Sequence, residues 1–309
     1  MNSILTKALS KSLPGAQPSG RPPAAVELSP EGVLAAALPG SGQAPVYAFA
    51  ALPQGALIPG IGEPNIRAAE AVSAAIRTAL GQVSPRTRSV SLVLPDTAVR
   101  VFVLDFDSLP ARAPEAISVL RFRLRKMVPF DVEHAGVSYQ VLTQGPNEWK
   151  VLVAVLPGPI LAEYEAVVRA AGYEPGAILP SSLAALEAID SLEAVLAAHL
   201  SPGALTTSIT NGSDLLLHRT LDLPEDPAMR LSEIQLGIAV AAAYFEDKLQ
   251  APARQLHYAG CYETAEFATW IDYPNLTVVD LVQRPETGAM TSLGHTSIAG
   301  AAGALAGTR

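Results

Sequence analysis

Two carboxylates that could take part in catalysis, Asp105 and Asp107, lie in the run Val101–Leu109, with the sequence VFVLDFDSL. The apolar residues up to Leu104 predict a strand, which places Asp105 and Asp107 at its end. One carboxylate in such a place can attack phosphorus, while the other acts as acid and base and both share Mg²⁺. The pattern therefore indicates a phosphoryl-transfer site as one hypothesis.

This pattern resembles the first motif of the haloacid-dehalogenase-like phosphatases, but the surrounding sequence departs from theirs. Ser108-Leu109 stands where a Gly-Thr or Gly-Val continuation is expected, and Pro110 follows at once. No downstream lysine and acidic pair lies at predicted strand ends, and the motif comes about a third of the way along the chain. Because Asp-x-Asp also occurs at strand ends where both carboxylates face water, solvent exposure is the competing interpretation.

Other catalytic and metal-binding patterns are absent from the sequence. It has no G-x-S-x-G, H-E-x-x-H, Walker G-x-x-x-x-G-K-[ST] or G-x-G-x-x-G motif. We interpret the single cysteine, Cys261, as a small buried apolar residue rather than a nucleophile. We expect no metal site, because the five histidines lack metal-ligand spacing. They are His134, His199, His218, His257 and His295.

Composition limits the classes of function. The chain has 309 residues, 49% of them hydrophobic, which allows two domains with sizeable cores. Its net charge of −8 disfavours nucleic acid as a partner, except at a local basic patch. One cysteine cannot form an internal disulfide, which fits a reducing compartment. No apolar run approaches the ~18 residues that span a bilayer, so we expect a cytoplasmic protein.

A predicted helix after this run carries an unusual charge pattern. Pro114 suits its first turn, and Pro129 ends it near Val128. Apolar residues recur at helical spacing and form one stripe, at Ile117, Leu120, Leu124 and Val128. Val119 and Phe122 point away from that stripe. Four cations crowd the same segment, at Arg121, Arg123, Arg125 and Lys126. Such a helix is either buried on both sides or in contact with a partner.

The remaining pattern predicts an α/β protein of two related halves. Residues 1–23 read as a tail and a Pro/Gly-rich linker. Short apolar runs then predict strands, at Ala24–Leu28, Gly32–Leu38, Val46–Leu52, Val90–Leu94, Val137–Leu142, Lys150–Leu156, Ala204–Thr210, Leu215–Leu221 and Gln255–Ala259. Ser181 and Ser182 predict the start of a helix that continues to His199, and Ser232 the start of a long second-half helix. Strands followed by alternating helices and strands are typical of this fold class.

With these elements in place, the chain resembles the PilM-type proteins of type IV pilus assembly, which have an actin-like fold. Two stretches carry the resemblance: LRFRLRKMVPFDVEHAGVSYQVL at Leu120–Leu142, and VLVAVLPGPILAEYEAVVRAAGYEPGAILPSSLAALEAI at Val151–Ile189. A more diffuse pattern runs from the turn at Asn211 to the helix at Gly300–Gly307. The cytoplasmic domain of the type II secretion platform protein, a relative of that family, is a further match.

The resemblance implies an actin-like, ribonuclease H-like α/β fold of two lobes. The first lobe would span residues 24–200 and include a small α+β subdomain at about 107–179. The second lobe would span residues 201–309. The family usually carries a helical lid subdomain over the nucleotide, and here Asp222–Leu231 remains in its place. The resemblance therefore predicts a reduced second lobe.

In the family, two glycine-containing loops cradle ATP with Mg²⁺, and here those loops are degenerate. In the first loop Leu34 stands where a lysine is expected, and Pro30 removes a donor. In the second, no carboxylate is present. The degenerate positions are Glu27, Ser29, Gly32, Gly203, Thr206 and Gly260. These departures predict that ATP binding and hydrolysis are lost and that no cofactor is bound. The alternative is an active actin-like ATPase that binds Mg-ATP through an aberrant phosphate loop.

The resemblance also implies a partner. It predicts a non-catalytic scaffold of a type IV pilus-like or type II secretion-like inner-membrane platform, peripheral at the membrane through the cytoplasmic tail of a bitopic PilN-like protein. An assembly ATPase and other platform proteins are further implied partners, and nucleic acid is not. The candidate residues for the tail-binding groove are Val119, Phe122, Arg123, Lys126, Phe130 and Tyr139.

Overall fold

The computed structural model describes residues 21–40, 43–146, 148–283 and 297–306. Its strands, in chain order, are β1 (Ala24–Leu28), β2 (Gly32–Ala37), β3 (Val46–Ala51), β4 (Ser89–Leu94), β5 (Arg100–Phe106), β6 (Gly136–Gln144), β7 (Trp149–Leu156), β8 (Glu174–Pro180), β9 (Ala194–Ser201), β10 (Ala204–Asn211), β11 (Asp214–Asp222), β12 (Gln255–Gly260) and β13 (Thr277–Asp280). Its α-helices are α1 (Ala69–Val83), α2 (Ala113–Leu124), α3 (Gly158–Ala170), α4 (Ser181–Leu186), α5 (Pro227–Leu249), α6 (Thr264–Ala268) and α7 (Ala299–Ala306), and a 3-10 helix spans Asp96–Ala98.

Two five-stranded sheets of the same strand order form the two lobes. The first has the order β3-β2-β1-β4-β8, and the second has the order β11-β10-β9-β12-β13. In the first sheet, β3, β2 and β1 pair antiparallel, and β4 and β8 run parallel to β1. In the second sheet, β11, β10 and β9 pair antiparallel, and β12 and β13 run parallel to β9. The repeat of plan that the sequence suggested is therefore present in the topology.

Helices cover both faces of the first sheet. Alternate residues of a strand point to opposite faces, and here the residues on both faces are apolar and buried. Val26 on β1 packs in the core that α1 and α3 cover, whereas its neighbour Ala25 packs against α7. Leu183 and Leu186 of α4 pack against β9 of the second sheet. The α4–α7 pair is close, since a Cβ at Gly303 would overlap the carbonyl oxygen of Ala184. The Ala/Gly composition of the last helix thus serves close packing.

A separate three-stranded sheet carries α2. Its order is β5-β7-β6, all antiparallel, and it spans Arg100 to Leu156. The helix buries Leu120 and Leu124 against this sheet. In contrast, α3 packs in the core of the first lobe and β8 joins its sheet. The predicted bounds of the first lobe (24–200), the inserted subdomain (107–179) and the second lobe (201–309) remain predictions. The three-stranded sheet begins at Arg100, before the predicted start of the insertion, and ends within it.

Two sequence predictions about helices are wrong. The helix that starts at Ser181 ends at Leu186, and β9 follows where the helix was expected to reach His199. A central strand buried on both faces has a continuous apolar sequence, as a buried helix does, so periodicity could not distinguish the two. The long second-lobe helix begins at Pro227 rather than at Ser232, because Asp226 caps it by accepting from the Met229 N–H at 2.9 Å.

Some predictions lie outside the described residues. They concern the predicted tail at residues 1–20. In the part of the chain that the structure describes, no helix combines the length and the apolar character that crossing a membrane requires.

Candidate functional site

Charged side chains meet between the two lobes, near the carboxyl ends of strands. Glu27 lies near the end of β1, Asp96 follows β4, and His199 lies near the end of β9. Ligands of open α/β sheets bind beyond such strand ends, so this cleft is the first place to examine. We call these three residues, with Ser181 and Ser182 at the start of α4, the interlobe cluster.

Asp96 contacts both lobes. The backbone N–H and the hydroxyl of Ser182 donate to its Oδ1 at 3.1 and 2.8 Å. From the second lobe, the Thr206 hydroxyl donates to Oδ2 at 3.3 Å, and His199 Nδ1 lies 3.0 Å from the same oxygen. This contact is an ion pair when the imidazole is protonated. Asp96 therefore joins α4 to β9 and β10.

Glu27 extends the cluster to the last helix. The Ser181 hydroxyl donates to Glu27 Oε1 and lies 3.1 Å from His199 Nε2. The N–H of Ala301 in α7 donates to Glu27 Oε2 at 3.0 Å. A Cβ at Gly300 would overlap this carboxylate, so glycine is needed there. One hydroxyl thus links a carboxylate of the first lobe to an imidazole of the second.

Burial and charge shift the pKa values of the cluster in different directions. Burial by itself raises the pKa of Asp96, but contacts with His199 and the Ser182 amide outweigh it and lower that pKa. Burial lowers the pKa of His199, but Asp96 and Glu27 outweigh it and raise that pKa. For Glu27, burial dominates and raises the pKa. The arrangement favours an ionised Asp96 beside a protonated His199.

A second histidine near the cluster favours its neutral form. His218 on β11 is buried, and its Nδ1 lies 2.9 Å from the Ser208 hydroxyl. Burial lowers its pKa to about 4. Its Nε2 has no hydrogen-bond partner among the described residues. At neutral pH the positive charge therefore resides on His199 rather than on His218.

Backbone donors of the turns that correspond to the nucleotide loops are engaged within the chain. In the β1–β2 turn, the N–H groups of Ser29 and Gly32 each donate to the other residue's carbonyl, at 2.9 and 3.2 Å. In the β9–β10 turn, the Ala204 N–H donates to Ser201 Oγ at 3.2 Å. After β12, the Cys261 N–H donates to the carbonyl of Leu200 at 3.1 Å. Phosphate binding by a loop requires such N–H groups to face the ligand.

Packing accounts for the small residues at these turns. A Cβ at Gly32 would overlap the ring of Phe49, and one at Gly260 would overlap the hydroxyl of Tyr258. Gly203 accepts from the N–H of Leu223 at 2.9 Å. Thr206, the remaining degenerate position, is buried and lies 2.9 Å from the Thr220 hydroxyl.

A cavity of about 320 Å³ lies beyond the ends of β12 and β13. It is lined by Gly260, Tyr262, Glu263, Thr264 and Asp280, among others. The Thr264 hydroxyl donates to the Asp280 carboxylate. Two carboxylates in this lining disfavour a phosphate group at the same place.

Cys261 lies beside these turns and is not activated. Burial raises the pKa of its thiol to about 12, so the thiol stays protonated at neutral pH. Because the thiolate is the nucleophilic form of cysteine, the structure supports a packing role for this residue.

Asp105 belongs to the three-stranded sheet and Asp107 directly follows its strand β5, and neither is a member of the interlobe cluster. Both are exposed at the end of β5, which is antiparallel to β7 at an edge of the small sheet. Among the described residues, no group of three His, Cys, Asp or Glu side chains could hold a metal ion. The geometry supports solvent-facing carboxylates and does not support the phosphatase hypothesis, which requires a shared Mg²⁺.

The outer side of α2 exposes apolar side chains next to cations. Phe122 is 68% exposed and Val119 is 37% exposed, on the side opposite the buried Leu120. Arg123 and Lys126 are exposed, and neither forms an ion pair with any described residue. We call Val119, Phe122, Arg123 and Lys126 the α2 face.

The other two cations of this segment hold a loop in place. Arg121 donates to the carbonyls of Val132 at 2.9 Å and Ala135 at 3.1 Å, and also to that of Glu133. Arg125 donates to the carboxylate of Glu133. The basic cluster is therefore divided into two structural cations and two that are free to meet a partner.

Phe130 and Tyr139 differ from the other candidate partner residues. Both are half-buried and pack against the core that α2 covers. The structure thus brings three of the six candidates together on α2, with Lys126 in the turn directly after it, and places Phe130 and Tyr139 against the core that α2 covers.

Sequence reasoning missed the interlobe cluster because it placed His199 on a helix. A signal was available in β10, where four polar side chains are buried, at Thr206, Thr207, Ser208 and Thr210, and three of them occupy alternate positions. Buried polar side chains at every second position of a strand indicate a shared polar network on one face.

Comparisons with known proteins concern the fold. No protein-family model and no curated protein matches the sequence. Among solved structures, the chain is similar to the PilM–PilN type IV pilus biogenesis complex, with 18% identity and a TM-score of 0.72 over 93% of this chain and 98% of that chain. It is also similar to the cytoplasmic domain of EpsL, an inner-membrane component of the type II secretion system of Vibrio cholerae, with 15% identity and a TM-score of 0.50 over 86% of this chain and 90% of that chain.

At these identities the likeness shows a shared fold. The match to the PilM–PilN structure covers nearly the whole of both chains, and the repeated strand order of the two sheets agrees with it. The chain therefore has the two-lobed, actin-like α/β fold that the sequence predicted.

Proposed function

We propose that this protein is a non-catalytic scaffold of a type IV pilus-like or type II secretion-like inner-membrane platform. It lies on the cytoplasmic side and binds the short cytoplasmic tail of a bitopic PilN-like protein, which holds it at the membrane. An assembly ATPase and other platform proteins are further partners in this role. The observation that carries the proposal is the α2 face, where an aromatic ring exposed by 68% lies beside two free cations.

The cleft supports the non-catalytic part of the proposal. A nucleotide would need N–H groups that already bond within the chain, and it would meet the carboxylates of Glu27 and Asp96. Each lost charge-assisted phosphate contact is worth roughly 1.5–3 kcal/mol. Losing three such contacts removes most of the ~8 kcal/mol that micromolar affinity represents.

The structural likeness supports the partner. The solved structure with a TM-score of 0.72 is a complex of PilM with PilN. By this likeness we propose that the chain also binds a PilN-like protein. The EpsL domain belongs to an inner-membrane component of a secretion system, which supports the same cellular setting.

The chemistry of the α2 face suits an extended tail with apolar and acidic residues. An exposed aromatic ring can act as the anchor of an interface, and Phe122 is in that position. Arg123 and Lys126 would attract carboxylates of the tail and orient it. Phe130 and Tyr139 would complete the groove from the side of the underlying core.

The experiment is a titration with a labelled peptide. The peptide is the cytoplasmic tail of a bitopic PilN-like protein from the same organism, and binding is followed by fluorescence anisotropy. The double variant Phe122→Asp/Lys126→Glu should bind at least tenfold more weakly while keeping the wild-type circular dichroism spectrum. A control variant, Leu192→Asp, changes an apolar residue that is 89% exposed elsewhere and should bind as the wild type does. Equal affinity of the double variant would overturn the proposed site.

A further inference from the structure

The helix α5 exposes an apolar stripe opposite its buried side. Ile234 and Ile238 pack in the second-lobe core, together with Phe245. On the other side, Leu236 is 58% exposed and Val240 is 44% exposed. Met229, which is 60% exposed, continues the stripe toward the start of the helix. Residues spaced by three, four or seven positions share one side of a helix, so these three form a continuous surface.

Acidic side chains flank this stripe. Glu233 and Asp247 lie on the same side of α5 by helical spacing, and neither forms an ion pair with any described residue. We call Met229, Glu233, Leu236, Val240 and Asp247 the α5 face. An apolar surface bounded by unpaired acids selects a partner that is apolar and basic.

The same chain carries a surface of that description. The α2 face combines Val119 and Phe122 with the free cations Arg123 and Lys126. The helix α2 packs on the three-stranded sheet and α5 packs on the second-lobe sheet. The two complementary faces therefore belong to different parts of one molecule, and both are open.

We propose that the α2 face of one copy of this chain binds the α5 face of a second copy. If the helices run antiparallel with Val119 against Val240, helical spacing puts Phe122 beside Leu236. Lys126, in the turn that directly follows α2, then lies toward Glu233. Because two different faces meet, the contact is heterologous and leaves one unused face at each end. Association is therefore head-to-tail, and the average number of copies in a chain of molecules increases with protein concentration.

The size and charge of the contact determine how it behaves. Two helix faces bury less than the roughly 800 Å² per partner of a standard stable complex, so association is reversible and grows with concentration. Added salt screens the pair of Lys126 and Glu233 and weakens it. A tail peptide on the α2 face would compete with the second copy; this one consequence depends on the proposed function.

Sedimentation velocity of the full chain at rising concentration tests the proposal. The wild type should show a weight-average sedimentation coefficient that increases with concentration and decreases with added salt. Phe122→Asp and Leu236→Glu should each remain monomeric, and the control Leu192→Asp should associate as the wild type does. An equimolar mixture of the two monomeric variants should form dimers, since one retains an intact α5 face and the other an intact α2 face.

A charge exchange tests the register. Lys126→Glu and Glu233→Lys should each weaken association at least tenfold, and the double variant should recover it. A wild type that stays monomeric at all concentrations, or variants that do not complement each other, would overturn the proposal. So would a Phe122→Asp variant that still self-associates. Leu236→Glu keeps the α2 face, so peptide binding to it reports on the proposed function independently of self-association.

Discussion

His199 is a half-buried imidazole held between two carboxylates of the other lobe. Its Nδ1 lies 3.0 Å from Asp96, and its Nε2 contacts Ser181, which donates to Glu27. A buried ion pair adds little net stability when both partners are present, but removal of one partner leaves the other charge uncompensated. The cluster therefore makes the contact between the lobes sensitive to single substitutions.

Asp96→Asn should be strongly destabilising. The amide keeps the size of the side chain and an oxygen for Ser182, but it removes the counterion of His199. We expect the free energy of unfolding at pH 7 to fall by about 3 kcal/mol, as measured by urea denaturation. The matched control Asp190→Asn, at an exposed position, should change it by less than about 0.5 kcal/mol. Equal stability of Asp96→Asn and the wild type would show that the pair is not ionised.

His218 gives a stability loss in acid. Its pKa is about 4 in the folded protein, below the ordinary value of about 6.5, so the unfolded chain binds the proton more tightly. The contribution of neutral His218 to the free energy of unfolding is complete above the pKa of about 6.5 in the unfolded chain. It is lost as the pH falls toward about 4, and the total loss is roughly 3 kcal/mol. His218→Asn keeps an acceptor near Ser208 and should lose less stability between pH 7 and pH 4.5 in urea denaturation. His199 has a raised pKa, so its contribution to stability increases as the pH falls, and this contribution is the same in the wild type and in His218→Asn. An identical loss in both would contradict the assignment.

At the scale of elements, helix α7 depends on its closeness to α4. A Cβ at Gly303 would overlap the backbone carbonyl of Ala184, which cannot rotate aside as a side chain can. We expect Gly303→Ala to lower the free energy of unfolding by about 1–3 kcal/mol. Gly81→Ala is the control, because Gly81 is inside α1 and its added Cβ would meet nothing. That variant should be stabilised by about 0.5–1 kcal/mol, since alanine favours the helix. Thermal denaturation that gives both variants the same sign of change would contradict this packing.

Elements whose apolar residues recur at a distinct spacing, or that are bounded by turn residues, could be predicted from the sequence. Elements with a continuous apolar sequence could not. The short strands β1 to β3 are separated by Pro/Gly/Ser turns, and α2 has one apolar stripe, a proline in its first turn and another after its C-terminal end, so these were found from the sequence. The strand β9 was not, because AVLAAHLS fits a buried helix as well as a buried strand. That error also concealed His199 as a residue of the cleft.

The candidate sites divide in the same way. Helical spacing alone predicted that Val119 and Phe122 point away from the core, and both are exposed. It could not show that Arg121 and Arg125 bind the segment before β6, since those contacts depend on tertiary folding. The interlobe cluster joins β1, α4 and β9, and no local pattern relates residues so distant in the sequence.

At the scale of the whole molecule, the two lobes are joined by protein contacts across the cleft. In addition to the interlobe cluster, Arg100 of the small sheet pairs with Asp222 of the second lobe at 2.9 Å. The turn donors that a nucleotide would use bond within the chain. Function is therefore expected on the outer surfaces, at the α2 face and the α5 face, rather than in the cleft.

Calorimetric titration of the full chain with Mg-ATP tests whether the cleft binds a nucleotide. We predict no saturable heat up to ~1 mM nucleotide, because the turn donors that would hold the phosphates bond within the chain. A saturable isotherm of one nucleotide per chain with micromolar affinity would contradict this prediction and favour an active actin-like ATPase.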